Sequence, residues 1–301
     1  MNLIFHHDDA DGIAAAAAIL YAGGMDNFDE PCHCVPVDYG RPLDWSVFDD
    51  FKKDDDECWV VDFSFAPEVM EKITEVAGEK FYWIDHHKGI IDDPAYAALL
   101  ARTKGVREVG PAACVLAWAM VCEAPLPIGL ALIGDRDTGS HQYGDTGRQL
   151  HAYWMSEGKP GPDNFFWEHL FGYENLADLA GALVKGKRCL EYQRQVLADL
   201  INRIGVWDRY STFAGVQVLR INHVGSSELG QIGHRLGAHL VHCWAKMPNG
   251  VLRHSLYGAA DAPVNCLAIA KAHGGGGHVK AAGCETDGPG EQLAYYLGFG
   301  R

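Results

Sequence analysis

In the N-terminal half of the chain one pattern recurs: a short apolar run stops at an acidic residue or a histidine, and a helical stretch follows. Leu3–Phe5 ends at His6, His7, Asp8 and Asp9, and Trp59–Val61 ends at Asp62. Phe81–Ile84 ends at Asp85, His86 and His87, and Ala131–Ile133 ends at Gly134, Asp135, Arg136 and Asp137. Such runs, alternating with helical segments at Gly12–Tyr21, Pro67–Ala77 and Ala112–Glu123, predict a parallel α/β sheet. Ligands of these sheets bind beyond the carboxyl ends of the strands. Four clusters distant in sequence are therefore expected to converge on one edge.

The remainder reads as two further segments. Residues 141–175 are rich in glycine, proline and aromatics and read as irregular. From Glu174 to Arg203 the apolar positions Leu176, Leu179, Leu183, Leu190, Val196, Leu197 and Leu200 have helical spacing, with a basic stretch at Lys185–Arg188. A second domain begins near Val206, with strands expected at Val216–Ile221, His239–Trp244 and Leu252–Leu256. A helix at Asn265–Ala272 leads into Gly274–Gly277 and His278. The expected organisation is an α/β catalytic domain over 1–145, an irregular segment and connecting helix over 146–205, and a smaller α/β domain over 206–301. The active site is expected in the cleft between the domains.

Bulk properties exclude some partners. A formal net charge of −15 argues against a protein that grips a long duplex through its phosphates, but not against a short substrate held by metal ions. No apolar run is long enough to span a bilayer, and the first residues lack the basic and apolar regions of a signal peptide. The nine cysteines show no zinc or redox spacing, which suggests reduced thiols and a cytoplasmic setting.

The clusters carry the chemistry. His7, Asp9 and Asp11 place an imidazole and two carboxylates in one turn before a helix, and Gly12 lets the backbone turn tightly. Acidic helix caps are the alternative there. Asp85, His86 and His87 side by side are costly to bury unless they bind a cation or each other. Asp62 alone reads more readily as a helix cap, and Asp135 and Asp137 read equally as turn residues. Taken jointly, His7, Asp9, Asp11, Asp62, Asp85, His86 and Asp137 suit two divalent ions ~3.5–4 Å apart, bridged by a carboxylate. Oxygen-rich sites with histidine favour Mn²⁺, with Mg²⁺ as the alternative. In the second domain Gly275, Gly276 and Gly277 allow backbone amides to approach an anion, with His278 and Lys280 adding charge.

These residues resemble the motifs of the DHH phosphoesterase superfamily, which includes the RecJ exonuclease and oligoribonucleases that degrade nano-RNA. His7-x-Asp9-x-Asp11-Gly12 resembles the first motif, Asp62 the second, Asp85-His86-His87 the third and Asp137-Thr138-Gly139 the fourth. Gly274–Gly277 with His278 is similar to the signature of the type 1 DHH-associated C-terminal domain. The resemblance implies one metal on His7, Asp9 and Asp62, and a second on Asp11, Asp62, His86 and Asp137. It further implies that Asp85 orients or supplements the ligands and that His87 contacts the scissile phosphate or leaving group. His278 and its glycines would hold the far end of the substrate.

Two departures from the family pattern narrow the reading. The first motif is short, as in the oligoribonuclease branch, and leaves His6 as an alternative to His7. Where many members carry Ser-Leu-Arg-Ser, this chain has Ser255-Leu256-Tyr257-Gly258. Tyr257 could stack on a base but is no guanidinium clamp, a role left to Arg253 or His254. The expected activity is hydrolysis of short oligonucleotides to mononucleotides by a metal-dependent phosphodiesterase. A phosphoadenosine-phosphate phosphatase or cyclic-dinucleotide phosphodiesterase is the alternative within the chemistry, and a non-catalytic nucleotide-binding protein the alternative outside it. A homodimer is kept open. His141, Tyr143 and Arg148 read as surface residues or cleft lining, Phe165–Trp167 as core or stacking platform, and His223, His234, His239 and His242 as structural.

Overall fold

The structure, a computed structural model, describes residues 2–22, 32–172, 176–208 and 216–287. It divides into two compact units, 1–190 and 191–301. Among the described residues no helix is long and apolar enough to cross a membrane, and all nine cysteines are free.

The first unit is built on a four-stranded parallel sheet of β1 (Asn2–His7), β2 (Cys32–Val37), β3 (Cys58–Val61) and β4 (Phe81–Ile84), in the order β2-β1-β3-β4. Alternation along the strands sorts their side chains onto two faces. Ile4, Trp59, Val61 and Ile84 face a core formed with α1 (Ala10–Ala22). Leu3, Phe5, Val60, Phe81 and Trp83 face a core containing Met70 and Ile73 of α2 (Pro67–Ala77). Short helices α3 (Lys88–Ile91) and α4 (Ala97–Arg102) follow β4, and Leu99 of α4 joins the α2 side. Truncating a wholly buried side chain such as Met70 to alanine would cost about 2–5 kcal/mol.

Helix α1 is buried nearly all round because Ala14–Ala18 present only methyl groups, so α5 (Ala113–Val121) packs closely against it. Residues 104–108 run alongside β4, with Trp83 N–H donating to Lys104 O at 3.0 Å and Asp85 N–H to Val106 O at 3.1 Å. Arg107 pins this segment by donating to four backbone carbonyls, those of Trp83, Leu100, Thr103 and Lys104.

Several sequence expectations need correction. Ala131–Ile133 is not a strand but the middle of α6 (Ile128–Asp137), with Leu130 and Ile133 buried one helical turn apart. Three apolar residues do not distinguish strand from helix. The stretch read as irregular carries α7 (Thr146–Ser156) and α8 (Phe165–Phe171). Leu150 and Trp154 of α7 share a buried face at helical spacing, and Asn164 caps α8 by accepting the Phe166 N–H. Strand β2 was not anticipated at all. The division between the units falls within α9 (Leu176–Ile204), whose earlier part matches the helix expected from Glu174; Glu174 itself lies outside the described residues.

The second unit is a six-stranded mixed sheet: β5 (Val206–Asp208), β6 (Val218–Asn222), β7 (Leu240–Lys246), β8 (Leu252–Gly258), β9 (Gly276–Gly277) and β10 (Ala281–Thr286). Its order is β5-β6-β7-β8-β10-β9, and only β6 and β7 pair in parallel. Helix α10 (Ser227–Arg235) covers one face with Leu229 and Ile232. Helix α11 (Cys266–Lys271) covers the other with Cys266 and Ala270. The three strands and the helix expected here are present within a few residues of their expected bounds.

Candidate metal centre

The carboxyl ends of β1, β3 and β4 and the C-terminus of α6 deliver the expected residues to one place. The fourth contribution thus comes from a helix end, not from a strand end. Directly after β1, Asp9 uses one oxygen as a helix cap: Oδ1 accepts the N–H groups of Asp11 (3.1 Å) and Gly12 (3.0 Å). Its other oxygen, Oδ2, lies 3.0 Å from His7 Nδ1. The capping reading of this turn is met by one oxygen, and the other stays turned toward His7. Gly12 is demanded by proximity, since a Cβ there would lie 2.4 Å from the His7 carbonyl oxygen.

Asp11 sits in the first turn of α1, and the N-terminus of α5 grips its carboxylate. Oδ2 accepts Ala113 N–H at 2.8 Å and Oδ1 accepts Cys114 N–H at 2.9 Å. Asp62 follows β3 with φ 55°, a left-handed conformation that is uncommon outside glycine and concentrates at functional sites. Its N–H donates to Ile84 O at 2.9 Å, fixing the turn to the neighbouring strand. Asp62 Oδ1 lies 3.3 Å from His86 Nε2 and Oδ2 lies 3.7 Å from His7 Nδ1. His86 Nε2 is also 3.4 Å from Asp137 Oδ2 and 3.7 Å from Asp11 Oδ2.

Three groups of donor atoms come close enough to share an ion: His7, Asp9 and Asp62; Asp11, His86 and Asp137; and Asp62, His86 and His87. Asp11 and Asp62 are only 1% exposed and His86 5%. The buried atoms Asp62 Oδ1 and Asp137 Oδ2 accept no hydrogen bond. Carboxylate oxygens this deep need a cation or a donor, so the donor set fits divalent metal ions.

The electrostatics show the same shortage of positive charge. Burial, and then the neighbouring Asp62 carboxylate, push Asp11 up to about 7. Burial, and then Asp11, push Asp137 up to about 7. Burial also raises Asp62, with Asp9 adding to it. For His7 and His86 burial disfavours the imidazolium, but it is outweighed. Asp62 and Asp9 bring His7 to about 11, and Asp62 and Asp11 bring His86 to about 10. Protons bound here stand where cations would be.

Asp85 lies in none of the three groups. Its oxygens accept from His87 N–H at 2.9 Å, from His87 Nδ1 at 2.7 Å and from the Ser64 hydroxyl. Against the cost of burial these bonds, His87 foremost, hold its carboxyl below the usual range. The His6/His7 alternative is decided by position: the His6 ring is buried and its Nδ1 bonds the His7 carbonyl oxygen, so only His7 joins the cluster. Likewise Asp135 organises the following loop by accepting from Ser140 Oγ, Gln142 N–H and Tyr143 N–H, and Asp137 alone faces His86. His141 and Tyr143 are exposed, and Arg148 bonds Asp145 and His141. Trp167 is core while Phe165 is exposed.

Sequence reasoning missed four contributors. Ser64 supports Asp85, the α5 amides hold Asp11, and Asp38 and Tyr39 follow β2 beside His7. Val35–Val37 ending at Asp38 repeats the pattern of the other strands, with Pro36 interrupting the apolar run.

The second-unit residues are placed as follows. Gly275 approaches β10 so closely that a Cβ would lie 2.1 Å from the Gly283 oxygen, so this glycine is required by the hairpin itself. Gly276 and Gly277 pair with Gly283 and Ala282. His278 is exposed, and its N–H donates to Ala281 O. Lys280, expected to add charge near an anion, instead donates through Nζ to Ala262 O at 2.7 Å. Tyr257 is half-buried over Gly230 of α10. Neither residue suggested as a substitute clamp is positioned as one: Arg253 pairs with Glu285, and His254 is fully buried between His242 and Thr286.

No protein-family model matches the chain, and no curated protein matches it in sequence. Solved structures do match in fold. The DHH domain of a protein assigned to a family of ribosomal proteins is 13% identical, with a TM-score of 0.64 over 98% of this chain and 85% of that one. RecJ from Thermus thermophilus in complex with Mn²⁺ is 14% identical, with a TM-score of 0.56 over 99% of this chain and 51% of that one. A pGpG-specific phosphodiesterase from Vibrio cholerae is 11% identical, with a TM-score of 0.54 over 99% of both chains. The chain has the DHH-type fold.

Proposed function

We infer that this chain of DHH-type fold is a metal-dependent phosphodiesterase that hydrolyses short oligonucleotides to mononucleotides. The observation that carries the reading is the sharing of Asp62, held at φ 55°, between the His7–Asp9 donors on one side and His86 on the other. His7, Asp9 and Asp62 would hold one divalent ion. Asp11, His86 and Asp137, with Asp62 between, would hold the second. The four carboxylates Asp9, Asp11, Asp62 and Asp137 balance the charge of two divalent ions, and Mn²⁺ suits the mixed oxygen and imidazole donors. A metal pair supplies charge neutralisation at the phosphoryl oxygens and an acidified water.

The remaining work falls to the chain's own groups. Asp85 holds His87 through Nδ1, which would orient the ring for the leaving oxygen. Burial disfavours the His87 imidazolium, but Asp85 outweighs this and raises its pKa, so a proton is available to the departing alkoxide. The α5 amides keep Asp11 aimed at the centre. In the second unit His278 and Gly276 are the groups we propose for binding a phosphate or sugar, with Tyr257 as a partial aromatic edge.

The likeness to the pGpG phosphodiesterase, which covers both chains almost completely, favours very short substrates. The test is hydrolysis of a labelled RNA ladder, from two nucleotides to about twenty, with Mn²⁺ and with chelator, beside the Asp62→Ala variant. Metal-dependent loss of the shortest species, absent in the variant, is expected. Equal rates on long and short RNA would remove the size preference. No RNA loss, with turnover of phosphoadenosine phosphate or a cyclic dinucleotide, would move the substrate to that second class.

A further inference from the structure

We propose that Asp38 is the positioning carboxylate of His7, fixing which ring nitrogen is offered to the metal. The inference rests on the metal-site reading above. In the pairing of β1 with β2, His7 stands opposite Val37, so Asp38 and Tyr39 emerge from the same sheet edge as Asp8 and Asp9. The two ring nitrogens of His7 then face different partners. Nδ1 lies 3.0 Å from Asp9 Oδ2 and 3.7 Å from Asp62 Oδ2, inside the donor cluster. Nε2 lies 3.8 Å from Asp38 Oδ1. Asp9 and Asp62 make their nearest approach to the ring at Nδ1, and Asp38 makes its nearest approach at Nε2.

Asp38 is not a loose surface acid. The same Oδ1 accepts the Tyr39 N–H at 2.8 Å, so the oxygen that faces His7 is fixed by its own backbone. The His7 ring is flanked by Tyr39, edge-on at 5.7 Å between centroids, and by Phe63 at 6.0 Å. Tyr39 and Phe63 in turn touch at 4.7 Å. The ring is thus held in its plane by two aromatics and in its orientation by charges at both ends. A separation of 3.8 Å is an electrostatic contact and not a hydrogen bond. With Asp9 and Asp62 engaged by an ion, it would favour the tautomer with the proton on Nε2, which leaves the Nδ1 lone pair for that ion. A metal-bound histidine commonly gives its other N–H to such a partner, and removing that partner typically weakens metal binding about 10–100-fold.

Asp38 lies outside the donor groups, so the effect should be confined to the His7 side. Mn²⁺ binding to the full chain, followed by electron paramagnetic resonance and calorimetry, should show two ions in the unaltered protein. In Asp38→Ala one ion should weaken about 10–100-fold while the other keeps its affinity. Asp38→Asn keeps an oxygen for the Tyr39 N–H but removes the charge, and should recover little of the loss. In the Mg²⁺-loaded protein, ¹H–¹⁵N correlation of the His7 ring should show the proton on Nε2, and Asp38→Ala should yield a mixture. Unchanged affinities together with an unchanged tautomer would overturn the role of Asp38 and leave the metal site intact. Absence of Mn²⁺ binding in the unaltered protein would overturn both readings.

Discussion

Asp62 Oδ1 and His86 Nε2 face each other at 3.3 Å, both nearly wholly buried, and the aspartate is held there in a left-handed backbone conformation. The arrangement separates what the site needs from what the fold prefers. Asn tolerates the same φ and mimics the protonated acid that burial favours. Asp62→Asn should abolish Mn²⁺ binding yet cost the metal-free protein little stability, because burial disfavours the carboxylate that it removes. Asp62→Val, whose branched side chain cannot take this φ without strain, should lose about 1–3 kcal/mol. Denaturant midpoints in chelator compare the three proteins. Equal destabilisation by Asn and Val would show that the Asp62 charge itself supports the fold.

The shifted groups fix the sign of a pH dependence. Asp11 and Asp137 titrate near 7, and His7 and His86 near 11 and 10, all above their ordinary values. The metal-free folded state therefore binds more protons than the unfolded chain, and stability falls as pH rises. The carboxyl contribution is complete below the ordinary carboxylate range and fades through about pH 7. The imidazole contribution is complete below about 6.5 and fades through about 10 to 11. Asp9 and Asp85 are shifted downward and act in the opposite sense only at acid pH. Burial shifts His6, His151, His242 and His254 downward, and they act in the opposite sense up to about 6.5. It is therefore between about pH 7 and 9 that the Tm in chelator should fall and the gain in Tm on adding Mn²⁺ should grow. A Mn²⁺ gain that does not vary with pH would contradict this.

Gly12 makes room for His7. With a methyl group 2.4 Å from the His7 carbonyl oxygen, Gly12→Ala must shift either α1 or the end of β1. A cost of about 1–3 kcal/mol is expected from such overpacking. Because His7 and Asp9 flank the displaced turn, Mn²⁺ affinity should fall too. Calorimetric Tm and Mn²⁺ titration measure both, and full metal affinity in a destabilised variant would separate the turn from the site.

On the proposed reading, Ser64 and Asp85 would act on turnover through His87. Ser64→Ala leaves a buried Asp85 oxygen short of a donor and should cost about 1–3 kcal/mol of stability. His87→Gln should lower kcat about 10²–10⁴-fold with little change in KM. The steady-state kinetics of the two variants read this directly, and an unchanged kcat in His87→Gln would remove the residue from proton transfer.

Much of this site was legible because β1, β3 and β4 carry apolar runs that stop at ligand-type residues. What remained hidden depended on three-dimensional register. His6 and His7 are adjacent on a strand and so point to opposite sides, and Asp135 and Asp137 diverge on the last turn of a helix. Sequence alone cannot say which of each pair faces inward. Strand β2 was masked by Pro36 and two cysteines in a run of six. Helix α6 was mistaken for a strand because its apolar triad is too short to show a period. In the second unit the glycine run looked like an anion cradle, but the structure gives Gly275 a packing role and Lys280 a carbonyl partner.

The four carbonyls gathered by Arg107 have a consequence for how copies of this protein can meet. With residues 104–108 laid along β4, one border of the first sheet is already occupied by a segment anchored through a guanidinium. The opposite border, β2, contains Pro36, which has no N–H to offer a neighbouring strand. Neither side of this sheet presents an uninterrupted row of backbone donors and acceptors, the template on which foreign strands add and aggregates grow. Among the described residues of the first unit, self-association has to use side-chain surfaces, and the sheet that carries the ligands stays four strands wide.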